Sequence, residues 1–216
     1  MSETPFFQAI ASGNHTLVSG MLSSDRHLAD IRNHDGVSPV LYALYTGQPE
    51  IAEGVAGEAS ELDVHDLAGL GRAEKLAVRL DAKPQRVHAF SPDGFQPLHL
   101  AAFFAREAAM AALIARGADV NAKARAEAGM APIHSAAASR RSGPVKILIE
   151  AGAEVDAVQL GGHTALMSAA RHGNVEMTEA LLAAGADPSR AADDGRRPAD
   201  FARAGGHEAL AARLER

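Results

Sequence analysis

Apolar residues in this chain fall in short clusters at helical spacing, each cluster followed by a glycine and a polar stretch. Runs such as Leu17 to Leu22 and Val145-Lys146-Ile147-Leu148-Ile149 place an apolar stripe on one face of a short helix. Thin, alanine-rich segments alternate with them, at Ala101-Ala102, Ala136-Ala137 and Ala169-Ala170. Bulk returns at Leu113-Ile114, Leu148-Ile149 and Leu181-Leu182. The pattern predicts an all-α chain of paired helices, one slender and one broad in each pair.

The pairs repeat. Gly94, Gly129, Gly162 and Gly195 each precede a segment that opens a helix, at spacings of 35, 33 and 33 residues. Gly117, Gly152 and Gly185 keep the same rhythm just after an apolar run, where a left-handed glycine ends a helix. Two independent markers with one period predict a stacked repeat array.

The segment after each turn carries a family signature. Gln96-Pro97-Leu98-His99-Leu100-Ala101, Ala131-Pro132-Ile133-His134-Ser135-Ala136, Thr164-Ala165-Leu166-Met167-Ser168-Ala169 and Arg197-Pro198-Ala199-Asp200-Phe201-Ala202 resemble the T-P-L-H-x-A segment of ankyrin repeats. The resemblance implies a solenoid of helix-turn-helix units joined by short hairpin fingers. It also implies that the signature histidines, His99 and His134, hydrogen-bond within the scaffold. The Thr and His of the signature never occur together here, which predicts weaker bonds between loop and helix and more mobile fingers.

The first half aligns more loosely. Thr4-Pro5-Phe6-Phe7-Gln8-Ala9 leads to a turn at Gly13, and Asp35-Gly36-Val37-Ser38-Pro39-Val40 to a turn at Gly47. The next inner turn, Gly71, follows after only 24 residues, and Ala105 comes 34 beyond it. The short interval predicts that the third repeat joins its predecessor without a finger, near residues 56–62. About seven repeats are expected in one domain over 1–216, at approximately 1–30, 31–59, 60–90, 91–124, 125–157, 158–190 and 191–216. The last repeat, with its charged helix from His207 to Arg216, reads as a polar cap, which a repeat array needs at its ends.

Composition narrows the function. Hydrophobic residues make up 47% of the 216 and aromatics only 4%, which suits many closely packed small helices. The net charge of −6 argues against nucleic acid as the main partner, because phosphate binding draws on clustered Lys and Arg. The absence of cysteine removes disulfides, thiolate metal sites and thiol catalysis. Met1-Ser2-Glu3-Thr4-Pro5 lacks the basic and apolar regions of a secretory leader, and no apolar run nears the roughly 20 residues of a membrane helix. A cytoplasmic protein, monomeric when free, is expected.

The ankyrin resemblance implies binding on the concave side, through finger tips and exposed positions of the inner helices. In the fourth repeat these positions are Phe90, Phe95, Phe103 and Phe104; in the second, Val37, Tyr45 and Thr46, with Tyr42 nearby. Rigid aromatics gathered on one surface are frequent interface anchors. Packing is the other use open to them, since Phe103 or Phe104 could cover the inner helix left bare by the missing finger. Arg125, Glu127 and Met130 in the fifth repeat, Leu160, His163, Arg171 and His172 in the sixth, and Arg196 in the last form a wider rim.

Ten histidines spread one or two per repeat, without metal-ligand spacing. No nucleophile elbow, phosphate loop or dinucleotide fingerprint occurs, and no cofactor is expected. The sequence thus predicts a non-catalytic adaptor or regulator that binds a protein partner. An accessory subunit or inhibitor of an enzyme is the alternative, and an unrecognised hydrolase built on His163 or His172 a remote one.

Overall fold

The computed structural model describes residues 4–126 and 128–215, so expectations touching Met1, Ser2, Glu3, Glu127 and Arg216 lie outside the described residues. Among the described residues, fourteen α-helices follow one another in antiparallel pairs. The inner helices are α1 (Pro5–Ala11), α3 (Pro39–Tyr45), α5 (Val64–Leu70), α7 (Pro97–Phe103), α9 (Pro132–Ala138), α11 (Ala165–Arg171) and α13 (Pro198–Ala204). Their outer partners are α2 (His15–Ser24), α4 (Pro49–Glu58), α6 (Ala73–Ala82), α8 (Glu107–Ile114), α10 (Ser142–Glu150), α12 (Val175–Ala183) and α14 (Glu208–Leu214). The helix-pair pattern therefore runs through both halves of the chain.

Each inner helix has only seven residues, too short to persist alone in water. Local signals fix where it starts. Proline opens α1, α3, α7, α9 and α13, where a missing N–H costs nothing. The two helices without proline have side-chain caps instead. Asp63 accepts from the backbone of His65 and Asp66 at 2.8 and 2.9 Å, and Thr164 accepts from Met167 N at 3.3 Å.

Stacking supplies the rest. Ala101, Ala102, Ala136, Ala137, Ala169 and Ala170 are sealed between neighbouring inner helices, while Leu76, Leu113, Leu148 and Leu181 fill the space under the outer ones. Small residues permit the close approach and leucines fill what remains. At the far end, Arg203 meets Asp200, Glu208 and Glu215, and Arg213 reaches Glu179, giving the last repeat a charged outer surface.

The inner turns share a left-handed residue. It is glycine at 13, 47, 71, 173 and 206, but Ala105 at φ 54° and Arg140 at φ 61°. A side chain in that region costs of order 1 kcal/mol. Replacing Ala105 with glycine is expected to stabilise the array by about 0.5–1 kcal/mol. Chemical denaturation would measure it, and a destabilised variant would show that the alanine methyl is needed for packing.

Backbone turns form the fingers at 33–37, 91–95, 159–163 and 192–196, and Ala124 N donating to Met130 O at 2.8 Å closes a further one. Neighbouring fingers are tied edge to edge, with Arg125 N donating to Gly94 O at 2.8 Å, Leu160 N to Ala128 O at 2.9 Å and Asp193 N to Gly161 O at 3.0 Å. A Cβ on Gly94 would stand 2.7 Å from Ala126 N, so this crossing needs glycine. Between α4 and α5 there is only the short link 59–63, without a hairpin. The flanking fingers close over it, and Gly36 abuts Pro92.

A buried polar cluster also fills the gap. Ser38 Oγ donates to Asp66 Oδ1 while accepting from Leu41 N, and His65 Nε2 binds Ala89 O at 2.9 Å. Arg32 faces Asp63 at 3.5 Å. Burial, then the neighbouring Asp63 charge, pushes the Asp66 carboxyl above its ordinary range. The bond to His65 and its charge hold Asp63 below its own, against the opposing effect of burial. These side chains join α3, α5 and the segment leading into the 91–95 finger, where main-chain finger contacts are missing.

Candidate functional site

The sites named from sequence divide once their surroundings are known. Tyr45, at the end of α3, and Phe104, just past α7, approach across α5 with ring centroids 5.6 Å apart. Phe103 stands edge-on to Phe104 at 5.0 Å. Below them α5 presents Gly69, whose Cβ, were there one, would lie 3.0 Å from side-chain atoms of Leu41 and Leu44 and 3.5 Å from Phe104. The absent side chain gives a shallow saddle in which rings from α3 and α7 meet.

Both readings of the aromatics find a place in that saddle. Phe104 is half-buried and covers α5, whereas Phe103 is 41% exposed and Tyr45 37%. Tyr45 Oη donates to Asp93 Oδ2 at 2.7 Å, pinning the ring to the 91–95 finger. Desolvation, with the Asp93 charge and hydrogen bond behind it, raises the Tyr45 phenol above its ordinary value. Gly69 and Asp93 were not among the candidates read from sequence. The only sequence signal for Gly69 is its register, because it holds in α5 the position that Tyr45 holds in α3 and Phe103 in α7.

The remaining aromatics lie elsewhere. Val37 was expected on the exposed side and is buried, because the finger turn directs it into the core. Tyr42 is half-buried, edge-on to Phe7 at 5.1 Å. Phe90 lies half-buried beneath the Arg125 guanidinium, 4.0 Å from its ring centre. Phe95 is half-buried with its ring 6.0 Å from that of His99.

On the rim, Leu160 is 69% exposed at a finger tip, and His172 is exposed at the end of α11. Met130 is half-buried, and its carbonyl accepts from His99 Nε2 at 2.9 Å. His163 is half-buried, edge-on to Phe201 at 5.3 Å, and Arg196 covers the other side of that ring at 4.4 Å. Tyr45, Phe103 and Phe104 thus form one patch, Tyr42 packs toward the first repeat, and the other candidates are distributed along the fingers and the later repeats.

His99 and His134 are both scaffold residues. The neutral His134 ring uses both nitrogens, Nδ1 accepting from Ala131 N at 3.1 Å and Nε2 donating to Ala157 O at 2.9 Å. Nε2 carries the bond to the next finger, which needs no threonine, so separating the Thr–His pair leaves that bond intact. His99 also reaches the next finger, at Met130 O, while its buried Nδ1 has no partner among the described residues. Burial holds both imidazoles below their ordinary range.

Inner helices, outer helices and histidine-tied fingers together make the repeating unit of this array. The description Ankyrin repeats (3 copies) matches over residues 98–192 and 133–213. The chain belongs to the ankyrin repeat family. Ankyrin repeat domains are generally protein-binding modules, usually without catalysis. No curated protein matches the chain. The saddle at Gly69 thus lies within an ankyrin array, at the end of the inner helix that follows the fingerless link 59–63. Among the described residues, no helix is long and apolar enough to cross a membrane.

Proposed function

We propose that this ankyrin array is a single binding domain that holds a protein partner across the α3–α5–α7 saddle, with Tyr45, Phe103 and Phe104 as anchors. One observation carries the reading. Two aromatic rings remain more than a third exposed in a chain whose other phenylalanines are buried or half-buried, and they share one continuous ring cluster. Rigid rings of this kind contribute contact area with little loss of conformational freedom.

A photo-crosslinking residue at position 103 tests this, with the same residue at Val78, 71% exposed on α6, as the control. A partner captured at 103 and not at 78 is the expected result. Phe103→Ala should weaken that complex roughly thirtyfold, the effect of truncating an aromatic anchor worth about 2 kcal/mol, while thermal stability stays within about 1 kcal/mol. Crosslinking at 78 alone, or unfolding of Phe103→Ala, would overturn the assignment.

A further inference from the structure

Beyond the saddle, the edge formed by the inner turns changes character. Arg140 and Arg141 lie in the turn between α9 and α10, Arg171 and His172 at the end of α11, and His207 in the turn before α14. Stacking brings the three turns into contact. Asn174 Nδ2 donates to Arg140 O at 2.9 Å, and a Cβ on Gly173 would stand 2.4 Å from the His207 ring. Gly205 is seated against the Arg171 carbonyl.

All three arginines are exposed, and none has an ion-pair partner among the described residues. The nearby acids are engaged or set to the outer-helix side. Glu176 is held by Lys146, Glu208 faces Arg203, and the Glu107 carboxylate rests on Gly143. Partial desolvation, followed by Arg140, Arg171 and His207, keeps the His172 imidazole below its ordinary range, as expected in a positive local field. Arg140 also sits in a left-handed position that favours glycine, so its presence is not a demand of the turn.

We propose that this edge is an interaction surface for a short run of Asp and Glu residues in a protein partner. The inference rests on the protein-binding reading above and names the partner's chemistry. Three observations favour acidic protein over nucleic acid. The chain as a whole carries −6, which repels a long polyanion but leaves a local patch free to act. The patch lies in the same inner-helix register as the saddle, since Arg171 occupies in α11 the position of Phe103 in α7. Exposed guanidinium groups match carboxylates in bidentate pairs.

Adjacent inner turns are separated by about 10 Å, so the three span roughly 20 Å, or about six residues of extended chain. A partner would therefore combine an apolar anchor in the saddle with about six residues of acidic character leading away from it.

A labelled octaglutamate peptide, measured by fluorescence anisotropy at low salt, supplies the test. Saturable binding is expected, weakening at least tenfold in Arg171→Gln and in Arg140→Gly and unchanged in Val78→Ala, a change on the exposed face of α6. Arg140→Gly should melt at a higher temperature than the natural chain, so its loss of binding cannot come from misfolding. Lack of saturable binding, equal binding by the arginine variants, or tighter binding of an oligothymidylate of equal charge would overturn the proposal. The probe has no apolar side chain, so its outcome is independent of the crosslinking result at position 103.

Discussion

Phe104→Ala is expected to destabilise the array by about 2 kcal/mol, lowering the melting temperature by roughly 4–8 °C. Burying and then deleting a phenylalanine ring costs about 3–5 kcal/mol when enclosure is complete, and Phe104 is half-buried. The loss would be concentrated at the α3–α5–α7 junction, where the ring joins α7 to Tyr45 above Gly69. A second measurement reports on that junction alone. The Tyr45 phenol is raised mainly by desolvation, so exposing it should move its ionisation back toward its ordinary value. The chain has only two tyrosines, which makes the ultraviolet titration readable. An unchanged melting temperature together with an unchanged titration would show that Phe104 does not bridge the gap. Phe103→Ala should move neither.

The second large effect is expected at His134. Its removal leaves the buried Ala131 N–H without its acceptor and Ala157 O without its donor, at a cost of about 2–3 kcal/mol. Gln at the position can restore one of the two bonds and should recover part of the loss. The histidine also gives a pH dependence of definite sign. Its folded pKa is depressed, so below about 6.5 the unfolded chain takes up a proton that the folded chain resists. Stability is therefore present above about 6.5 and is lost as pH falls through the folded value. His99 acts in the same sense.

Asp66 acts in the opposite one. Its folded pKa is raised, so the folded state gains stability as pH falls through that value toward the ordinary carboxylate range near 4. Denaturation at a series of pH values, comparing the natural chain with His134→Ala, isolates the histidine contribution by difference. Identical pH slopes in the two proteins would mean that His134 does not resist protonation in the fold.

Much of this architecture could be read before any coordinates. Left-handed turns, proline helix starts and apolar stripes are local features, and a repeat displays each of them several times. The 24-residue interval between Gly47 and Gly71 also marked the missing finger, because a hairpin has a minimum length and the interval cannot hold one. The candidate site was legible only as a set of aromatic residues. Which of them face outward depends on turns and neighbours distant in sequence. Val37 is drawn inward by its finger, and Phe90 is covered by Arg125 from the next finger.

The amino-acid sequence by itself determined the helix pairs, their period, the family and the place where the period breaks. All of these follow from backbone preferences within a few residues and from counting between turns. Only the tertiary structure decided that Tyr45 and Phe104 meet above Gly69, and that Arg140, Arg141 and Arg171 come together on one edge beside His172 and His207. The turns that carry them are separated by about one repeat or more along the chain, and stacking brings positions one repeat apart to within about 10 Å. Proximity of that kind is a property of the packed array, and it selects which side chains are left to meet a partner.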